Sequence, residues 1–360
     1  MSSRDATAAE HDVTTAEMPD DRVTPTTEEE VAELLSEATE TGRRVGVWGG
    51  GTHRDMGYAT ESDLVISTAG LAGIVDWEPD DLTVVVRAGT PIVELEEELR
   101  RGGQSAILPE QPGAATVGGV VATGVSAYAR LRYGPTRDRM LEVRAVTGDG
   151  RLVKGGGRVV KNVTGYDLPR LFTGSFGSLG VITSVCLKLW PLTEATATVR
   201  LTEVPPLRLV HRPRAMLETA EGVRILLSGT GPEVEDQIRR LGGEATSGFD
   251  YPAPLDGPLV WSLRIRPGLL GDALARLPSG ADFVAQHGVG EVAFTAPVDF
   301  DIADLRGWAE GEGGAVVRLR GTSAADPWGT PPPALEIQRR IIAAFDPRRI
   351  IEVGRLPGRI

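Results

Sequence analysis

The side chains that most often carry chemistry are scarce in this chain. It has four histidines, His11, His53, His211 and His287, and one cysteine, Cys186. No two histidines have the spacing of a metal site. A lone cysteine makes neither a disulfide within the chain nor a zinc or iron–sulfur motif. No metal site is expected, and Cys186, inside an apolar run, reads as a buried thiol. What the sequence offers instead is backbone. "VWGGGTH" (47–53) runs a strand into three glycines, whose successive N–H groups can approach a phosphate, although the same residues also make a plain tight turn. "PEQPGAATVGGVVATGVS" (109–126) is small and apolar. Its Gly118 and Gly119 open a short helix whose N–H groups would be free for an anion, or the segment simply packs closely. "FTGSFGSLGVI" (172–182) spends its glycines and serines just before a β-branched strand. There the chain either bends sharply or lies close against something. Three such segments suggest one extended ligand held by main-chain contacts, and a dinucleotide fits that better than a small metabolite. Neither G-x-G-x-x-G nor a P-loop is present.

Around these segments the sequence predicts regular elements. "TTEEEVAELLSEATETG" is a helix capped by Thr26 or Thr27, with Val31, Leu34, Leu35 and Ala38 on one face and Gly42 at its end. Strands follow at "DLVIST", "GIVDWEP" and "LTVVVRAG", the last two joined by a hairpin turn at 78–81. "TPIVELEEELRRGG" is a helix with Thr90 as cap and Pro91 at its first position. "LEVRAVTGDGRLVKGGG" is a hairpin around Asp149-Gly150. After Pro191 the pattern becomes α+β, with strands at about 197–203, 223–229, 258–266, 282–286, 290–295 and 315–320. Helices are expected there at about 231–242, 268–277, 301–311 and 333–345.

The chain has 360 residues and is 41% hydrophobic, enough for two domains. It carries 50 acidic and 38 basic side chains spread along its length, which argues against nucleic acid as a partner. No run approaches a membrane span. Residues 1–22 lack the apolar core of a secretory signal and are expected to be a disordered tail, so a cytoplasmic protein is expected.

"GGGT" (49–52), "TVGGVVATGVSAYARLRYGPTRD" (116–138) and "GRVVKNVTGYDLPRLFTGSFGSLGVI" (157–182), in this order, resemble the FAD-binding domain of the vanillyl-alcohol-oxidase/p-cresol-methylhydroxylase superfamily. The likeness is strongest to the FAD-binding subunit of bacterial glycolate oxidases. It covers residues 25–195, fades through 196–330 and returns weakly in "FDPRRIIEVGR". It implies an α+β fold in which a two-part FAD-binding domain (23–195) precedes a smaller α+β cap (196–330). Residues 331–360 would form a helix and tail returning to the FAD domain.

The same resemblance implies which residues hold the cofactor. Trp48, Gly49, Gly50, Gly51, Thr52 and His53 would hold the pyrophosphate. Pro109, Glu110, Gln111, Pro112, Gly113, Ala114 and Ala115 would run beside the flavin and its ribityl chain. Thr116, Gly118 and Gly119 would continue that contact, and Thr123, Gly124, Val125 and Ser126 would lie near the phosphates. Phe176, Gly177, Ser178, Leu179, Gly180, Val181 and Ile182 would bind the adenosine half. A side chain at Gly118 or Gly180 would then sit where the cofactor must lie.

FAD is expected to be non-covalent, because Gly51 or Thr52 stands where a linking histidine of such turns stands. Lys161 and Arg137 could place a cation at the flavin N1–C2=O edge or be surface charges. Tyr133 and Tyr166 could face the flavin or be core aromatics, the core reading being preferred for Tyr166. No catalytic side chain is assigned. The resemblance implies an oxidation of 2-hydroxy acids shared with a second flavoprotein subunit and an iron–sulfur subunit. Relatives that oxidise such acids carry histidine clusters in the second domain, and this chain lacks one. "EVGR" replaces the usual Asn-Pro-Gly-Lys/Arg near the end, which leaves the tail's contact with the flavin open. A self-sufficient oxidase of another alcohol or sugar acid, and a non-catalytic flavin subunit, remain the alternatives.

Overall fold

The computed structural model describes residues 22–110, 113–158 and 165–360. Its first helix, Glu28–Thr41, is capped as its sequence predicts: the Thr27 hydroxyl accepts from the Glu30 N–H at 3.1 Å, and Gly42 closes the last turn with φ 71°. Val31, Leu35 and Ala38 recur at helical spacing and are buried. They pack on a small parallel sheet in the order Arg22–Val23, Leu64–Ser67, Val45–Trp48.

A second, antiparallel sheet has the order Ile74–Glu78, Thr83–Arg87, Val181–Lys188, Met140–Val146, Leu152–Gly156. Both expected hairpins are in it. Val181–Lys188 is central and its first seven residues are buried, Cys186 among them. Helices Ile92–Arg101 and Val117–Thr123 share its core. Thr90 does not cap the first of these. Its hydroxyl bonds the Arg87 carbonyl at 2.7 Å and the Gly73 N–H at 2.9 Å, and the helix begins after Pro91 without a side-chain cap.

Residues 195–320 supply an eight-stranded antiparallel sheet. Its order is Glu244–Ser247, Ala195–Leu201, Gly222–Gly229, Ala215–Thr219, Phe283–Gln286, Glu291–Ala296, Leu259–Arg264, Ala315–Arg320. All six expected strands are present, and two more join them. Helices Gly231–Leu241, Ala303–Gly311 and Leu335–Phe345 lie close to their expected spans, but the expected helix at 268–277 is reduced to Leu270–Leu274. The eight-stranded sheet is tied to the first half by side chains on both sides. Arg130 pairs with Glu291 at 2.7 Å, and Arg318 donates to the Gly57 carbonyl at 3.1 Å. After helix Leu335–Phe345 the chain returns to the first half. Ile350 and Ile351 enter the core of the small parallel sheet, where the Val45 N–H donates to the Ile350 carbonyl at 2.7 Å. Among the described residues no helix is long and apolar enough to cross a membrane.

Candidate functional site

Three chain segments meet along one groove. The first is the loop leaving strand Val45–Trp48, the second is helix Val117–Thr123, and the third is the turn before strand Val181–Lys188. They meet because small residues let backbones touch. A Cβ on Gly50 would stand 1.5 Å from the Ala114 carbonyl oxygen, and one on Gly49 would stand 2.3 Å from the Thr116 hydroxyl. On the other side, the N–H groups of Gly174 and Phe176 donate to the Val121 and Ala122 carbonyls at 3.0 and 2.8 Å. The groove is partly open to solvent, and its cavity measures roughly 90 Å³.

Of the residues singled out from the sequence, Gly49, Gly50, Gly51, Thr52, His53, Thr116, Gly118, Gly119, Thr123, Phe176, Gly177, Gly180 and Ile182 line this groove. Trp48, Ser178, Leu179 and Val181 are buried beside it and support it. Val125 and Ser126 anchor the chain at Thr136 instead. The Val125 carbonyl accepts from the Thr136 hydroxyl at 2.7 Å, and the Ser126 hydroxyl accepts from the Thr136 N–H at 3.0 Å. Gly124 closes the helix with φ 70°. Ala115 is buried and its carbonyl accepts from the Ile92 N–H at 2.9 Å, while Gly113 and Ala114 are exposed. Pro109 and Glu110 line a separate cavity with Tyr133, Arg214 and Tyr251. Gln111, Pro112 and Lys161 lie outside the described residues.

Several expectations are corrected by geometry. The N–H groups that open helix Val117–Thr123 are not free. Val117 donates to the Thr90 carbonyl at 2.9 Å, Gly118 to the Ala88 carbonyl at 2.7 Å, and Gly119 to the Thr116 hydroxyl at 3.2 Å. Gly118 and Gly180 owe their identity to the fold. A Cβ on Gly118 would press on the Ala88 Cβ at 2.7 Å, and one on Gly180 (φ 140°) would meet the Val146 carbonyl oxygen at 2.3 Å. Tyr166 is 89% exposed, not a core aromatic. Arg137 is exposed and pairs with Asp138 at 3.6 Å.

The free donors lie in the glycine loop. Among the described residues nothing accepts from the N–H groups of Gly50, Gly51, Thr52 and His53. Beside them stand groove residues that the sequence reading did not single out: Val47, Arg54, Thr68, Ala122, Glu352 and Arg355. The Glu352 carboxylate accepts from the Val47 N–H at 2.8 Å, from Arg54 at 2.7 Å and from Arg355 at 3.0 Å. Burial alone pushes this carboxyl up, but Arg54 and Arg355 outweigh it and hold the group below the usual carboxylate range. Arg355 also donates to the His53 carbonyl at 2.9 Å. The signal for Glu352 and Arg355 was the pair of charges in "IEVGR", which follows an apolar pair. Consecutive unpaired N–H groups, two arginines and one carboxylate make a groove that favours an anion. A dinucleotide pyrophosphate fits it.

His53 sits at this wall, its Nδ1 2.9 Å from the Thr52 hydroxyl. Burial, with the nearby Arg355 charge, pushes its pKa down to about 4. An unfolded chain takes up this proton below about pH 6.5, so the contribution to stability is whole above that pH and is lost as pH falls toward 4. His53→Gln is expected to recover roughly 2–3 kcal/mol of the acid-side loss. Urea unfolding of the flavin-free protein at pH 7 and pH 4.5 measures this. Equal losses in both proteins would refute it.

Comparison with known proteins agrees with this geometry. A family model for an FAD binding domain matches residues 19–156, which include the glycine loop and helix Val117–Thr123. The chain is 36% identical over 196 residues to glycolate oxidase subunit GlcE of Escherichia coli, covering 49% of this chain and 53% of that protein. It is 37% identical over 172 residues to a D-lactate dehydrogenase of Archaeoglobus fulgidus, covering 47% and 38%. Glycolate oxidase subunit GlcD of Bacillus subtilis matches at 30% over 186 residues, covering 51% and 39%. The chain thus spans about half the length of these relatives, or less. In fold it is similar to alkyldihydroxyacetonephosphate synthase, with a TM-score of 0.64, 16% identity, and coverage of 91% of this chain and 74% of that one. The glycine loop and helix Val117–Thr123 therefore lie in an FAD binding domain, and FAD is this chain's cofactor.

Proposed function

We propose that this chain is the FAD-binding subunit of a 2-hydroxy-acid dehydrogenase of the glycolate-oxidase kind. The observation that carries the reading is a backbone-built FAD groove in a chain similar to a subunit of glycolate oxidase. In this reading it works in the cytoplasm with a second flavoprotein subunit and an iron–sulfur subunit, and residues 196–330 form the substrate-side cap. Bound FAD would take the electrons of the substrate and pass them on. The chain's own part is to bind and orient. The loop from Gly49 to His53 and the wall from Phe176 to Ile182 hold the dinucleotide non-covalently, and Arg54, Glu352 and Arg355 set the charge around it.

The reading also accounts for the poverty of proton-handling groups. His211 is exposed in a loop, and His287 is paired with Glu218 at 2.6 Å; neither lines the groove. A general base must reach the proton it takes. The test compares steady-state turnover of glycolate and D-lactate, with an artificial dye acceptor, between the isolated chain and the co-purified complex. The isolated chain is expected to be far slower. Equal rates would make it a self-sufficient oxidoreductase.

A further inference from the structure

A second cavity, of roughly 520 Å³, lies between the FAD-binding half and the eight-stranded sheet. Leu108, Glu110 and Tyr133 line it from the first half, and Arg214, Phe249 and Tyr251 from the second. Arg214 stands just before strand Ala215–Thr219, where its N–H donates to the Leu226 carbonyl at 2.8 Å. Its guanidinium carbon is 4.6 Å from the centre of the Phe249 ring and 5.6 Å from that of Tyr133. Ring faces fix the plane of a guanidinium without using its N–H groups. The Arg214 Nε is buried and has no acceptor among the described residues. An oriented cation with an unused donor gains by meeting an anion, and the planar fork matches a carboxylate.

The other charged groups of the cavity are less free to do this. Glu96 is already used, accepting from the Ser105 hydroxyl at 2.8 Å and the Leu108 N–H at 3.1 Å. Glu97 and Arg100 are exposed on helix Ile92–Arg101. Glu110 accepts from the Tyr128 N–H at 2.9 Å, and burial pushes its carboxyl up against the pull of that bond and of Arg214. It is suited to share a hydrogen bond with a neutral hydroxyl. Around these groups the walls are apolar and aromatic: Leu108 is buried, and the Tyr251 ring lies 5.9 Å from both Tyr128 and Phe249.

We infer that this cavity binds 2-hydroxy acids that carry a bulky apolar side chain, with Arg214 receiving the carboxylate and Glu110 facing the hydroxyl. The inference deepens the proposed function and rests on it. Glycolate has no side chain and would leave the aromatic walls to water, so it is not the acid these walls fit best. Pro109 and Glu110 open the stretch of chain that reaches the cofactor groove at Thr116 and Gly118, so one segment serves both sites.

The test uses the full chain loaded with FAD and calorimetric titration with glycolate, phenyllactate and phenylpropionate, the last lacking the hydroxyl. Phenyllactate is expected to bind at least ~10-fold more tightly than glycolate, because its apolar group is buried. It should also bind several-fold more tightly than phenylpropionate, which leaves the Glu110 carboxyl without a partner. Arg214→Met should weaken phenyllactate roughly 10- to 30-fold and leave FAD affinity unchanged, and Arg214→Lys should recover part of the loss. Thr196 also lines the cavity, so Thr196→Phe should weaken phenyllactate and spare glycolate. It decides the matter if Arg214→Met does not fold. Glycolate binding as tightly as phenyllactate overturns the inference, and so does unchanged phenyllactate affinity in Arg214→Met or Thr196→Phe. If the chain binds phenyllactate as expected while the co-purified complex oxidises no 2-hydroxy acid, the dehydrogenase reading fails and the site stands. If the complex oxidises such acids and the substitutions change no affinity, the site alone fails.

Discussion

Gly119→Val is expected to abolish FAD binding and leave the protein folded. Gly119 lines the groove, and a Cβ there meets only the Thr116 hydroxyl, at 3.1 Å. The valine side chain would therefore project into the groove. The helix itself tolerates the change, because glycine inside a helix is already about 1 kcal/mol worse than alanine. FAD affinity should fall at least ~100-fold, equivalent to about 2.7 kcal/mol, with far-ultraviolet circular dichroism and apoprotein melting nearly unchanged. Its neighbour gives the opposite outcome. Gly118→Val drives a side chain into Ala88 and should lower or abolish folded yield with or without FAD. Fluorescence titration and thermal melting of both variants separate a glycine kept for the cofactor from a glycine kept for packing. Normal FAD affinity in Gly119→Val would remove helix Val117–Thr123 from the binding site.

That pair of neighbours shows how far the residue types alone could lead. Glycine in "GGGT", "TVGG" and "GSFGSLG" marks where a backbone must come close to something. It does not say whether the something is a ligand or another stretch of chain. Gly50, Gly118 and Gly180 answer to Ala114, Ala88 and Val146, contacts made only once the fold exists. Gly119 faces the groove, where a Cβ would meet only the Thr116 hydroxyl. The residues that set the charge were harder still to find. Arg54 and Glu352 are separated by 298 positions, and no local pattern links them.

The same divide runs through the fold. Helix Glu28–Thr41 and the Asp149-Gly150 hairpin carry their signals locally, in caps, periodicity and turn residues. Strand Glu244–Ser247 does not. It is exposed at the sheet edge, built from Glu, Ala, Thr and Ser, and exists because it pairs with Ala197 to Arg200. Strand Ala215–Thr219, rich in residues that favour helices, is likewise held by neighbours on both sides. Thr90 looked like a helix cap. Tertiary contact offered its hydroxyl the Gly73 N–H instead, 17 residues away.

Glu291→Ala is expected to destabilise the protein by about 3 kcal/mol, because it removes a mostly buried carboxylate with three side-chain partners, one of which, Arg130, joins the two halves. Glu291 stands on the eight-stranded sheet and its side chain is 14% exposed. One oxygen accepts from Arg130 at 2.7 Å, in the short helix Arg130–Tyr133 that follows helix Val117–Thr123. The other accepts from Ser262 at 2.9 Å and Arg264 at 3.3 Å. Burial pushes the carboxyl up, yet Arg264 and Arg130 outweigh it and keep it below the usual range. The group is therefore ionised at neutral pH. Its contribution is present above the ordinary carboxyl pKa and is lost as pH falls through the lowered one. Alanine leaves the Ser262 hydroxyl, which is fully buried, without this acceptor. Arg130, 27% exposed, can still reach water, which keeps the loss below that of a wholly buried pair. Chemical denaturation of Glu291→Ala, Arg130→Met and the double variant at pH 7 measures the coupling. A coupling near zero would mean that the sheet is held to the FAD-binding half by its other contacts, Arg132 to Ser228 at 2.6 Å and Arg318 to Gly57 at 3.1 Å, and that the Arg130–Glu291 pair adds nothing.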